Sequence, residues 1–322
     1  MEKSVEKDND TLIVIQTPED EVSDETTSGK IKRVKNLLSS NSSTIELYDF
    51  LIDEVRRFIA TTSDDNFKAQ GHVSREELLD QISRYEELCN DFSMLTACVA
   101  FWARPEHKVI LQKILARATD RLDSQSSSNV WIAFRWYPLI VAFYCTGIAS
   151  VEGKRYDSLA NIFYALMGSS KYRPREEYFV EAIANGILEL NRIESFKRLP
   201  GHEKYYVPMS EHLFKIIQPK LDDLFFIGRN YERVFDEFEV LFALAASDLN
   251  QKRGNRIWGP IGRYGWKHSV RENSPLKRII KEAGEMGDRW EPIRAGLFGG
   301  NVERFNSFAN EFEQIIAKLN WW

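Results

Sequence analysis

Residues 130–149 read VWIAFRWYPLIVAFYCTGIA, twenty positions with one charge, Arg135, and almost no polar side chain. A segment apolar on every side has two fates. It crosses a bilayer, whose core takes about 20 apolar residues in a helix, or it becomes the helix around which a domain packs. Two residues favour the second. Arg135 would cost about 2.5 to 3.5 kcal/mol near mid-membrane, and Pro138 removes a backbone donor inside the run. The uncharged remainder, residues 139–149, spans only about 16 Å at the helical rise. The run is therefore expected to be a buried core helix, with no membrane partner. Arg135 is expected to be buried and paired with a carboxylate or carbonyls, because an unpaired buried charge is very costly.

The rest of the composition agrees. The chain has 322 residues, 43% hydrophobic and 28% charged, enough for one large domain or two smaller ones. A net charge of −5 argues against the molecule as a whole binding a polyanion. Cys89, Cys98 and Cys145 are odd in number and sit in apolar helical contexts. They read as buried thiols of a reducing compartment, and with no hydrophobic secretion signal at the start the expected location is cytoplasmic.

Residues 1–43 differ from the rest of the chain. Positions 1–28 hold nine acidic residues and two lysines, a composition that cannot offset its ordering entropy, so a disordered acidic tail is expected. Within it Leu12, Ile13, Val14 and Ile15 form an aliphatic cluster with an acidic flank. Such a peptide suits β-strand addition to a partner, as in SUMO-interacting peptides, or docking on the protein's own body. Lys30, Lys32, Arg33 and Lys35 then lead toward the folded part.

From residue 44 to 322 the period is helical. Ser74 and Glu77 form a capping box, and Leu78, Ile82, Tyr85, Leu88, Cys89, Phe92, Leu95, Val99 and Trp102 follow at spacings of three and four. Ser274-Pro275 and Asn301 open two later helices. An αα-hairpin is expected from the helix that begins at Val130, a turn at 152–155 and a second helix over 157–167 that ends at Gly168. The fold class is all-α: a multi-helix bundle of packed αα-hairpins around a central buried helix, with groupings 44–170 and 171–322 as an alternative division.

Residues 252–281 carry the densest functional signal, nine Lys or Arg against one acid, Glu272. Arg253, Arg256, Arg263, Lys267 and Arg271 alternate with Trp258, Tyr264 and Trp266. Cations that neutralise phosphates beside rings that stack on bases suit single-stranded nucleic acid or another ligand. The structural alternative is a Gly/Pro-rich loop whose tryptophans plug the core while its arginines are solvated. Arg263 and His268 also fit Arg-x4-His, which resembles the motif of the all-helical HEPN ribonucleases. That resemblance implies Arg263 on the scissile phosphate and His268 in proton transfer, although Tyr264 and Gly265 depart from the pattern. Asp236, Glu237 and Glu239 alternate with Phe235 and Phe238 and read as the solvated face of a helix. His202-Glu203-Lys204 reads as a surface turn. The histidines show no metal-ligand spacing, and phosphate-loop and dinucleotide fingerprints are absent, so no metal or cofactor is expected.

Three stretches together, YPL at 137–139 through YDSLA at 156–160, WGPIGRYGW at 258–266, and RAGLFGG at 294–300, carry a further likeness. They resemble an uncharacterised all-helical region of bacterial proteins, often appended to suspected antiphage effector domains. The resemblance implies a sensing, scaffolding or autoinhibitory role beside a separate effector. The expected role is thus a non-catalytic interaction or regulatory module with a protein partner, either an effector subunit or a second copy. An RNA-cleaving enzyme and a non-catalytic nucleic-acid binder are the alternatives.

Overall fold

The computed structural model describes residues 26–40, 42–63, 66, 74–123, 129–168, 176–270, 272–319 and 321. Its architecture is all-α. In chain order the helices are α1 (Thr27–Ser39), α2 (Thr44–Thr61), α3 (Arg75–Leu88), α4 (Asn90–Trp102), α5 (Lys108–Ala118), α6 (Asn129–Phe134), α7 (Trp136–Glu152) and α8 (Tyr156–Phe163). The second half adds α9 (Phe179–Arg192), α10 (Pro208–Phe225), α11 (Tyr231–Lys252), α12 (Arg263–Val270), α13 (Pro275–Met286), α14 (Glu291–Arg294) and α15 (Val302–Ala317). Two-residue strands β1 (Leu166–Met167) and β2 (Glu177–Tyr178) pair antiparallel, a small ladder that no alternating run announces.

The apolar run becomes α6 and α7, which meet at Arg135. The Arg135 N–H still donates to the Trp131 carbonyl at 3.1 Å, so the helical path continues through the junction. Pro138 falls in the first turn of α7 and has no N–H to donate to the carbonyl of Phe134, the residue at which α6 ends. About the fate of the run the structure is direct: 89% of its most apolar stretch lies inside the protein, and Arg135 is buried. α7 packs against α4 and α8 and also against α9, α10 and α11. Both groupings therefore share it, and one cluster of buried apolar side chains extends from Val34 to Ile316. Phe143 stands 4.9–5.8 Å from the rings of Phe163, Phe179, Phe238 and Phe242. Gly147 lies against the Phe238 ring, where a Cβ would overlap it, so α7 and α11 approach closely there.

Local signals act as expected at the caps. Ser74 Oγ accepts from the Glu77 N–H at 3.1 Å while the Glu77 carboxylate accepts from the Ser74 N–H at 2.8 Å. Ser274 and Asn301 accept from the N–H groups of Lys277 and Arg304. All three cysteines are buried and free, and burial pushes the Cys145 thiol up to about 12.

Three boundaries and the placing of one histidine differ. The folded body begins at α1, not at residue 44: Val34 and Leu38 are in the core, and Lys30 is buried. Lys30 Nζ bridges Glu54 at 3.0 Å and Asp91 at 2.6 Å, while Arg33 and Lys35 lie over the rings of Phe50 and Trp102. A basic stretch can thus enter a fold when carboxylates and aromatic faces receive it. The expected single helix over residues 78–102 is divided at Cys89 into α3 and α4. α8 ends at Phe163 because residues 166–167 pair with β2. His202 is buried against Tyr205 and His212 instead of standing on a surface turn. Leu12, Ile13, Val14, Ile15 and Arg271 lie outside the described residues.

Candidate functional site

After α11 the chain runs back along that helix before turning into α12. Asn250 Nδ2 donates to the Trp258 carbonyl at 2.8 Å and fixes the return. Gly259 meets the Ala243 carbonyl and Gly262 the Glu239 carboxylate at distances that leave no room for a Cβ. These two glycines let the Gly259-Pro260-Ile261-Gly262 stretch touch α11. From Arg263 the chain is helical, contrary to the loop expected around Gly265. Gly265 faces Ile261 and Trp321, which would collide with a side chain there.

This return path closes over a buried charge network. Glu239 is 1% exposed. Its Oε1 accepts from Ser210 Oγ at 2.6 Å and from the Tyr144 hydroxyl at 3.1 Å, and its Oε2 accepts from the Arg263 N–H at 2.8 Å. Loss of hydration nevertheless dominates, assisted by the nearby Asp236 charge, and raises its carboxyl to about 7. One turn earlier, Asp236 takes Lys267 Nζ at 2.5–2.7 Å. Lys267, 0% exposed, also reaches Glu232 at 2.8 Å. Burial pushes the Asp236 carboxyl up while Lys267 opposes it. Arg263 Nε sits 3.0 Å from Glu211, and its guanidinium lies 3.5 Å above the centre of the Phe214 ring. α7, α10, α11 and α12 are thereby joined through polar groups inside the protein.

The sequence candidates separate accordingly. Arg263, Tyr264, Lys267 and His268 are buried, the reverse of solvated arginines around buried tryptophans. Trp258 and Trp266 are half-buried, and Trp266 Nε1 donates to Glu211 at 3.0 Å. Arg253 is exposed but pairs with Glu181 at 2.6 Å, and Arg256 is exposed. Arg263 and His268 are held by different elements. His268 Nδ1 is 2.9 Å from Ser274 Oγ, the cap of α13, and its Nε2 is 3.9 Å from Glu313 on α15. Burial lowers the His268 pKa, which favours a neutral ring in a capping role. The phosphate-facing partnership that Arg-x4-His implies is absent from this arrangement.

Above the network lies a cleft of about 230 Å³. Ile187 and Leu190 of α9, Phe196, Met209 and Pro260 wall it, and Tyr144 and Ser210 are among its lining residues. The rim charges Glu194 and Lys197 pair at 2.9 Å.

The other end of α10 is built in the opposite sense. Phe226 is 88% exposed, and its backbone is left-handed, with φ 55° and ψ 42°. Its N–H donates to the Asp222 carbonyl at 2.8 Å, and the Asp222 carboxylate accepts from the Gly228 N–H at 2.6 Å, which pins the turn. Phe225 beside it stacks on Phe101 at 4.4 Å and leans on Trp102 at 5.1 Å. These three rings are only partly buried. Exposed Lys35 lies 4.3 Å over Trp102, and exposed Lys154 follows Gly153, whose α-carbon backs on Phe101.

Sequence reasoning missed the buried carboxylates and Phe226. A signal existed for Glu239: Phe235, Phe238, Glu239 and Phe242 occupy i, i+3, i+4 and i+7, so Glu239 falls on the buried stripe. None existed for Phe226, which reads as one more core residue at a helix end.

No known protein family matches the chain, and neither the curated proteins nor the solved structures compared with it yield a match.

Proposed function

We propose that the protein is a non-catalytic helical interaction module, a scaffold or regulatory subunit that grips a protein partner through Phe226. The observation that carries this reading is a bulky aromatic held almost fully in solvent on a left-handed backbone. Such a conformation costs a non-glycine residue about 1–2 kcal/mol, and a ring left 88% exposed gains almost nothing from burial to offset it. Folding stability gains nothing from either, so a contact outside the chain explains the residue better. The half-buried Phe101, Trp102 and Phe225 supply a rim of the kind that surrounds binding hot spots. Lys35 and Lys154 favour a partner with an apolar pocket edged by acidic groups. A sensing or scaffolding part in a bacterial defence system, the role implied by the family resemblance, would use such a surface.

The test uses the full chain. The partner is captured from the native host, purified, and titrated against wild type and Phe226→Asp. The substitution should weaken binding by about thirtyfold or more while the melting temperature holds or rises. Equal affinity for the two proteins would end this reading.

A further inference from the structure

The cleft beneath α9 has a floor whose chemistry specifies a ligand. Ser210 Oγ gives its proton to Glu239 and accepts the Arg263 N–H at 3.0 Å. The Tyr144 hydroxyl likewise gives its proton to Glu239 at 3.1 Å. With Glu239 ionised, the Tyr144 hydroxyl has committed its proton to the carboxylate and keeps a lone pair, so any hydrogen bond it makes to a ligand is made as an acceptor. Ile187, Leu190, Phe196, Met209 and Pro260 supply carbon to the walls, while Asn191, Tyr206 and the paired Glu194 and Lys197 add polar groups to the lining. An anion placed there would stand over the Glu239 carboxylate, and a cation would lose its hydration against carbon with no exposed counter-charge at the floor. At about 230 Å³ the space is below the range of about 300–1,000 Å³ usual for drug-sized ligands.

We propose that this cleft binds a small, uncharged, mainly apolar molecule of one or two fused rings that donates one hydrogen bond to Tyr144 Oη. Occupancy would join α9, the start of α10 and the Pro260–Ile261 turn to α7, the elements that the Glu239 network already links. The site is independent of the Phe226 surface. Ser210 and Phe226 are sixteen residues apart along α10 and its cap, about 24 Å at the helical rise.

Calorimetric titration of the full-length protein with indole and with benzofuran at about pH 8.5, where Glu239 is ionised, separates the outcomes. The two probes share a bicyclic shape, and only indole has an N–H donor. Indole should bind one per chain about tenfold more tightly than benzofuran, the value of one hydrogen bond to a buried acceptor. Tyr144→Phe should remove that preference and leave benzofuran unchanged. Asn191→Trp, a change at an exposed residue on the cleft's edge, should weaken both probes without touching the network, and it keeps the test open if Tyr144→Phe does not fold. The proposal is overturned if indole produces no binding heat at millimolar concentration, if the two probes bind equally, or if Asn191→Trp leaves both affinities unchanged.

Discussion

The two ends of α10 invert the ordinary arrangement in opposite directions. Its N-terminal end contributes Ser210 and Glu211 to an interior where charges meet, and its C-terminal end leads to Phe226, where an aromatic ring meets water. Buried charge is tolerated at the first end because each group is received: Lys267 by Asp236 and Glu232, Arg263 by Glu211 and the Phe214 face, and Glu239 by three donors. Among the described residues, nothing receives the Phe226 ring to a comparable degree. The contrast separates two kinds of unusual residue. One is compensated inside the fold and therefore structural, and the other is uncompensated and therefore points outward.

The largest expected effect tests the compensated end. Lys267→Met leaves Asp236 buried without its cation and should cost about 3–5 kcal/mol in urea unfolding. Adding Asp236→Leu should recover much of the loss. A cost under about 1 kcal/mol would show that these charges are not holding the helices together.

A slightly smaller effect comes from Glu239, whose folded-state carboxyl titrates near 7, against about 4.3 when unfolded. Between those values the folded protein holds a proton that the unfolded chain has released. The stability contributed by this group is therefore fully present below about pH 4.3 and is lost as pH rises through 7, a total on the order of 4 kcal/mol. Glu239→Gln, which cannot ionise, should be less affected by the rise from pH 5 to 8.5. Urea titrations of both proteins across that range check it, and parallel pH profiles would contradict it. The comparison of two proteins is needed because the lowered pKa values of His107, His202 and His268 act in the opposite sense, reducing stability as pH falls.

Gly262→Ala should cost about 1–3 kcal/mol, because its Cβ meets a carboxylate already pinned by donors on both oxygens. At the other end the sign reverses. Phe226→Gly should stabilise the protein by about 1 kcal/mol, since glycine adopts the left-handed cap without strain. A destabilised Phe226→Gly would mean that the ring packs usefully within the chain, and the contrast between the two ends would fail.

Much of the fold was legible in the residues. The stripe at Leu78, Ile82 and Tyr85, the Ser74–Glu77 box and the Ser274 and Asn301 caps act within a turn or two of chain, and each is found where the spacing puts it. The candidate site was legible only as a location. Residues 252–281 were marked by composition, but whether Arg263 faces water or Glu211 depends on the placing of α10, where Glu211 is 52 residues away in sequence. Glu211 and Glu232 look like surface acids until α12 lies beside them. Arg33 and Lys35 look like a solvated approach to the fold until Phe50 and Trp102 are placed beneath them.

What the sequence determined by itself was the class and the centre. An uninterrupted apolar run with one arginine and an early proline, flanked by amphipathic helices, has a low-energy solution in the middle of an all-helical body. Tertiary structure alone decided which charges are sheltered and which ring is not. Desolvation and ion pairing depend on distances of a few ångströms between segments far apart in the chain, and no local pattern encodes those distances.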